Sequence, residues 1–256
     1  MIMYYFLVFI FGLAIGSFLN VIIYRLDKKA SAFEGRSRCP KCRKHLKWYD
    51  NIPLVSFALL RGRCRNCHKK ISWQYPIVEL ATASAFLINA IVLVSRPQLI
   101  TADVEAIFSL LTSFLFTSFL IVIFVYDLNK YQILDKVSIP LIITALVLNL
   151  FFYSFWNLIL AGLIGFAFFG LQYLISGGKW IGDGDIRLGL AMGLMLGYPK
   201  VLIGLFLAYL IGSLVAVGLI IFSKKNMKSR IPFGPFLAGA TYLIFLFGDY
   251  LLKLFI

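Results

Sequence analysis

Eleven carboxylates are spread over 256 residues, and four of them stand at the edges of apolar runs. Asp127 closes one such run in Phe124-Val125-Tyr126-Asp127, and Asp135 follows eight residues later. Asp183 and Asp185 lie in Gly182-Asp183-Gly184-Asp185, at the start of another. Ionisable groups at the edge of hydrocarbon are costly to hold there and usually functional. Two carboxylates brought together in a low-dielectric site cannot both ionise, so they share a proton. The ionised partner can act as general base on water. The protonated partner can polarise a peptide carbonyl and later protonate the leaving amine. That is aspartyl-protease chemistry, and the sequence offers no G-x-S-x-G or H-E-x-x-H as a competitor.

Within the second cluster, Asp185 is the stronger candidate. On one helix, positions 183 and 185 would point about 200° apart, so only one could face Asp127. Gly182 and Gly184 allow a backbone turn and a close helix approach where the carboxylate enters the bilayer. Asp183 then falls in the turn. A plainer account of either residue is that the helix dipole favours an aspartate near a helix N-terminus.

A second chemistry is written in the cysteines. All four occur as Cys39-Pro-Lys-Cys42 and Cys64-Arg-Asn-Cys67, with 21 residues between the pairs. Repeated C-x₂-C at this interval is the spacing of a tetrahedral Cys₄ zinc knuckle. Arg38, Lys41, Arg43, Arg63 and Arg65 favour the thiolates that bind metal. Four sulfur ligands close the coordination sphere, so the zinc expected here is structural and folds a polar segment with little core of its own. His45 or His68 replacing a cysteine, and a redox-active C-x-x-C, are the other readings of these residues.

The elements that must carry these groups follow from composition. The chain is 61% hydrophobic and 14% charged, with a mean hydropathy of +0.90. Such values exclude an ordinary soluble enzyme and a disordered chain. Apolar runs near 1–24, 76–95, 107–126, 138–153, 157–176, 185–197, 201–222 and 232–256 point to eight spans, the fourth and sixth short. The first 24 residues carry no charge and no cleavage-site pattern, which suits a retained helix better than a signal peptide.

Charge sets the expected orientation. Of the net +14, +11 falls between Arg25 and Lys70. With the N-terminus outside, the inside loops hold 22 basic residues and the outside loops three (Arg96, Lys200 and Lys253). That is a positive-inside pattern, and it points to anionic lipid headgroups rather than nucleic acid as the partner of the basic loop. The expected fold is an all-α polytopic membrane protein of about eight transmembrane helices. Residues 1–24 form the first helix, 25–75 a cytoplasmic zinc-binding domain, and 76–256 a seven-helix membrane domain carrying the aspartates.

Taken in order, these motifs resemble the type IV prepilin peptidase family, whose second aspartate lies in a G-x-G-D motif shared with presenilin-like intramembrane proteases. The resemblance covers almost the whole chain. It runs from Gly16-Ser17-Phe18-Leu19-Asn20-Val21 and Arg25, through the paired C-x₂-C, to Ile71-Ser72-Trp73-Gln74-Tyr75-Pro76 and Glu79-Leu80. It continues with Asp127 and Asp135, with Gly182 to Leu188, and with Phe233-Gly234-Pro235-Phe236-Leu237-Ala238. Leu134 stands where the family usually has proline, Arg187 where lysine is common, and Asp183 at a position more often neutral.

The resemblance implies Asp127 and Asp185 as the catalytic pair, supported by Gly182, Gly184, Asp135 and Asp183. It implies cleavage of a short basic leader after glycine, on the cytoplasmic side of a bacterial inner membrane, from prepilin or pseudopilin precursors. It further implies methylation of the new N-terminus with S-adenosylmethionine, with Asn20, Arg25 and Glu79 at positions typical of the family. Interfacial capping and headgroup contact are the plain alternative for those three. The competing functional classes are a proton-coupled transporter using the same aspartates, a lipid-linked transferase with Asp183-Gly184-Asp185 on a divalent metal, and an inactive scaffold.

Overall fold

The computed structural model describes residues 1–28, 35, 37–95, 103–223 and 231–255. Of the charges behind the expected orientation, Lys29, Glu34, Arg36, Arg96, Lys224, Lys225, Lys228 and Arg230 lie outside the described residues. The described residues are helical, without named strands. In chain order the helices are α1 (Ile2–Asp27), α2 (Val55–Leu59), α3 (Gln74–Val94), α4 (Asp103–Lys130), α5 (Asp135–Asn149), α6 (Phe155–Ser176), α7 (Asp183–Leu196), α8 (Lys200–Ser223) and α9 (Gly234–Phe255).

Eight of these match the eight expected apolar runs. Six are long and apolar enough to cross a membrane: α1, α3, α4, α6, α8 and α9. The other two are shorter than a span, with 15 residues in α5 and 14 in α7. At 1.5 Å per residue each covers about 20 Å, against ~30 Å of hydrocarbon. The structure thus divides the expected eight spans into six of full length and two short helices.

The chain forms two compact units, Met1–Ser118 and Phe119–Ile256, with the boundary inside α4. In the first, α1 and α3 run antiparallel with their backbones nearly touching. A Cβ on Gly12 would lie 2.6 Å from the Ala83 Cα, and one on Gly16 would lie 2.7 Å from the Glu79 Cα. Gly12-Leu-Ala-Ile-Gly16 is therefore a small-x₃-small contact face. Beyond it, Val8, Phe86, Ala90 and Phe114 form a core, with the Phe86 and Phe114 rings stacked 4.1 Å apart.

In the second unit α7 is the central helix. Leu188, Ala191, Met192, Leu194, Met195 and Leu196 are almost wholly buried. Against α6 the packing is again backbone on backbone. A Cβ at Gly165 would strike the Gly189 carbonyl, and one at Gly193 would strike the Ala161 carbonyl. The Asn157 carboxamide accepts the Tyr198 N–H and donates to the Tyr198 carbonyl beyond the far end of α7. There too, Asn149 donates to the Leu194 and Met195 carbonyls. By contrast, α8 shows an exposed apolar stripe of Leu202, Phe206, Leu210, Leu214, Val217 and Ile221, the spacing of a lipid-facing side.

Candidate active site

Asp127 lies in the last turn of α4 and is 4% exposed. Its Oδ2 accepts the N–H of Gly234, the first residue of α9, at 2.9 Å. That N–H has no acceptor within its own helix, and the helix dipole further favours an anion at this end. A side chain there would displace the carboxylate, because a Cβ on residue 234 would come 2.6 Å from the same oxygen. Pro235 follows at a first-turn position, where its missing N–H is not needed.

Asp185 is the third residue of α7. Its Oδ2 accepts the Gly182 N–H at 3.1 Å, which caps the helix start. The cap uses one oxygen of the carboxyl. Asp185 is only partly buried. The two aspartates chosen from the sequence thus lie at the ends of two helices in the second compact unit.

The neighbouring groups hold the start of α7 in place. Gly184 packs on the short 131–134 connection after α4, where a Cβ would lie 2.7 Å from the Ile133 Cβ. Tyr131 opens that connection in the left-handed region, with φ of 57°. At its end, Asp135 starts α5 and pairs with Arg187 of α7. Arg187 also pairs with Asp183 one turn earlier. One guanidinium thus joins the starts of α5 and α7. Asp183, expected in the turn, is instead the first residue of the helix, with its carboxylate committed to Arg187.

Three features of this region were not picked out from the sequence as site residues. Gly234 had a signal in its Gly-Pro pair at a helix start. Arg187 had one in its i, i+4 spacing from Asp183. Tyr209 had none: it donates to Gln172 Oε1 at 2.8 Å and packs with Phe169 and Phe233.

In the first unit the four cysteine sulfurs lie within 4.8 Å of one another. Residues 38–45 and 63–70 fold alike, each closed by one antiparallel bridge, Arg38 to His45 and Arg63 to Lys70. In each, the first cysteine N–H bonds the carbonyl five residues on, and its carbonyl accepts the N–H four residues on. The fourth residue after each first cysteine is left-handed, Arg43 at φ 58° and His68 at 54°. Sulfurs 2.3 Å from a tetrahedral ion would be about 3.8 Å apart; Cys39 and Cys67 are separated by 3.9 Å. The set therefore fits a tetrahedral thiophilic ion. His45 and His68 are exposed and do not belong to it.

The sulfurs also compete for protons. Burial pushes the Cys39 thiol up, but hydrogen bonds from the Cys42 and Lys41 backbone and from the Cys64 and Cys42 side chains bring it down to about 7. The Lys69 N–H draws Cys67 down, whereas burial and hydrogen bonds to the other three cysteines push it up to about 11. Asp50 braces the loop, pairing with Arg65 at 2.9 Å and accepting the Lys47 N–H.

Asn20 and Glu79 are both buried on the paired helices α1 and α3. The Asn20 Nδ2 donates to the carbonyls of Gly16 and Tyr75, at 3.3 and 3.0 Å. Glu79 Oε2 accepts the Leu54 N–H at 2.9 Å. Arg25 sends its guanidinium to the Gly35 carbonyl at 2.7 Å.

Comparison with known proteins covers almost the whole chain. Residues 10–93 match the bacterial peptidase A24 N-terminal domain, and residues 114–217 match the type IV leader peptidase family. The chain is 34% identical over 277 residues to a prepilin leader peptidase/N-methyltransferase of Aeromonas hydrophila, covering 96% of this chain and 92% of that one. A protein of the same name from Bacillus subtilis (strain 168) is 30% identical over 253 residues, covering 98% and 97%. A third, from Aeromonas salmonicida (strain A449), is 31% identical over 278 residues, covering 96% and 92%. No solved structure matches the chain. A likeness this extensive, with both halves matched in order, places the protein in the type IV leader peptidase family.

Proposed function

We propose that this protein is a membrane aspartyl endopeptidase that removes the basic leader of prepilin or pseudopilin precursors, with Asp127 and Asp185 as its catalytic pair. The observation that carries the reading is that Asp127, buried and held by the Gly234 N–H, and Asp185, capping the start of α7, stand at helix ends within one compact unit. A pair sharing one proton supplies both a base for water and an acid for the departing amine. Gly182 and Gly184 shape the start of α7, and Asp135, Asp183 and Arg187 hold it against α5.

Four thiolates from Cys39, Cys42, Cys64 and Cys67 would hold a structural Zn²⁺, which folds the loop and takes no part in peptide cleavage. The relatives' names join leader removal to N-methylation. When bound, S-adenosylmethionine would supply the methyl group, and the buried acceptors Asn20 and Glu79 suit its positive charge. The N-terminus lies outside, with the zinc loop and aspartates on the cytoplasmic side. Basic side chains beside exposed Trp48, Leu59 and Trp73 suit an anionic lipid surface. A transporter using the same aspartates leaves both the Cys₄ loop and the peptidase relatives without a role.

The test is leader removal from a prepilin-type substrate by the purified protein in lipid, comparing wild type with Asp127→Asn and Asp185→Asn. Both variants should lose cleavage while keeping expression and zinc content. Cleavage surviving either change would overturn the pair.

A further inference from the structure

Tyr209 joins two pieces of backbone, one beside each aspartate. Its ring centre lies 5.0 Å from that of Phe233 and 6.3 Å from that of Phe169, the second pair stacked at 19°. Phe233 and Phe169 also meet each other edge to face, at 5.9 Å. Separations of this order are those of attractive aromatic pairs. The three rings form a triangle drawn from α6, α8 and the residue before α9, all within the second compact unit.

The two phenylalanines each reach an aspartate through backbone. Phe233 immediately precedes Gly234, whose N–H holds Asp127 Oδ2 at 2.9 Å. The Phe233 carbonyl accepts the N–H groups of Phe236 and Leu237, so this residue also opens the hydrogen bonding of α9. A shift of the Phe233 ring therefore carries the Gly234 N–H with it. Phe169 is wholly buried against Gly189 of α7, where an added Cβ would stand 2.4 Å from the ring. Gly189 follows Asp185 by four residues and so lies on the same side of α7, one turn further in.

The hydroxyl of Tyr209 sets it apart from its neighbours. Between Lys200 and Ser213 it is the one polar side chain of α8. Packing alone would need only a phenylalanine there, and a phenol hydroxyl without a partner is costly in hydrocarbon. Its partner is specific: the hydroxyl donates to Gln172 Oε1 at 2.8 Å, and Gln172 Nε2 donates to the Phe168 carbonyl at 3.1 Å. The ring is thus pinned at its face by Phe169 and at its tip by Gln172, both residues of α6.

We propose that Tyr209 is a positioning residue of the peptidase. Held by Gln172, its ring fixes Phe233 and hence the Gly234 N–H that orients Asp127. Through Phe169 the same ring is referenced to the turn of α7 that follows Asp185. The role rests on the reading of Asp127 and Asp185 as the catalytic pair, and it assigns Tyr209 no contact with substrate.

The test is steady-state leader removal by the purified full-length protein in lipid, with one prepilin-type substrate. Tyr209→Phe keeps the ring and loses the anchor. It should lower kcat about 3- to 10-fold, the scale of one neutral hydrogen bond, with KM little changed. Gln172→Leu should do the same, and the double variant should be no worse than either single change, because both remove one bond. Tyr209→Leu, which removes the ring as well, should lose more. Added to Gly234→Ala, Tyr209→Phe should have little further effect, since both act on the orientation of one carboxylate.

Unfolding temperature is measured for every variant. A residue that only packs would lower that temperature and leave the kcat of the folded enzyme intact. Positioning is overturned if Tyr209→Phe keeps wild-type kcat, or if its loss multiplies in full with that of Gly234→Ala. Asp127→Asn and Asp185→Asn are assayed alongside. Cleavage surviving in either, or no cleavage by wild type, overturns the catalytic pair and the positioning role together. Loss of cleavage in both, with wild-type kcat in Tyr209→Phe, overturns the positioning role alone.

Discussion

The main-chain N–H of Gly234 donates to Asp127 Oδ2 at 2.9 Å, joining the last turn of α4 to the first residue of α9. The bond fixes one carboxylate oxygen and leaves the other for chemistry. It also explains why residue 234 has no side chain. An alanine Cβ would stand 2.6 Å from that oxygen and force either the carboxylate or the helix start to move.

Gly234→Ala should therefore lower kcat for leader removal by about 10- to 100-fold, the range for losing a hydrogen bond to a charged group. KM should change little, because the helices that form the rest of the site remain. Steady-state cleavage of one prepilin-type substrate measures both. Wild-type kcat in a folded variant would mean that Gly234 does not position the carboxylate.

Arg187 makes a different kind of link. It bridges Asp135 at the start of α5 to Asp183 at the start of α7, two residues before Asp185. Arg187→Gln should lower kcat about 3- to 10-fold, since a partly exposed pair contributes on the order of 1 kcal/mol. Asp135→Asn should lower kcat to a similar extent, and the double variant Asp135→Asn with Arg187→Gln should lose less than the two losses combined. Fully additive losses would assign Arg187 to another task.

How much of this was legible beforehand follows from what each residue needs. Asp127, Asp185 and the four cysteines announce themselves, because charge beside hydrocarbon and paired C-x₂-C are conspicuous in one dimension. Gly234 is less visible: its value lies in the missing Cβ, and the oxygen it spares is 107 residues away in sequence. Tyr209 reads as one more aromatic in an apolar run until Phe169 of α6 and Phe233, just before α9, pack beside it. The eight helices were readable from apolar runs. The shortness of α5 and α7 as spans depends on where caps and turns end them, which hydropathy alone does not fix.

The close helix contacts make a stability prediction. Gly193 lies against the Ala161 carbonyl and 2.7 Å, measured from an added Cβ, from the Gly162 Cα. Backbone cannot move aside as a flexible side chain can. Gly193→Ala should destabilise the fold by roughly 1–3 kcal/mol, the usual cost of overpacking. Gly218, whose added Cβ would meet no atom within 4 Å, is the control. Thermal unfolding in detergent should show a lower midpoint for Gly193→Ala and little change for Gly218→Ala.

Zinc binding should depend on pH, with a sign set by the thiols. Thiolates are the ligands, so protons compete with the metal and apparent affinity falls as pH falls. Stability lent by zinc is accordingly present at higher pH and lost on acidification. Cys39, at about 7, is already ionised well above neutrality and releases no proton there, whereas Cys67, at about 11, releases one throughout. Proton release per zinc should therefore rise by about one between pH 8 and pH 6 through Cys39 alone. Calorimetric titration of zinc into metal-free protein, in buffers of different ionisation enthalpy, measures that number. Cys64→Ser should reduce zinc affinity and expose the 37–73 loop to proteolysis. Unchanged proton release across this range would show that Cys39 is not poised near neutrality, and full zinc binding by Cys64→Ser would remove it from the ligand set.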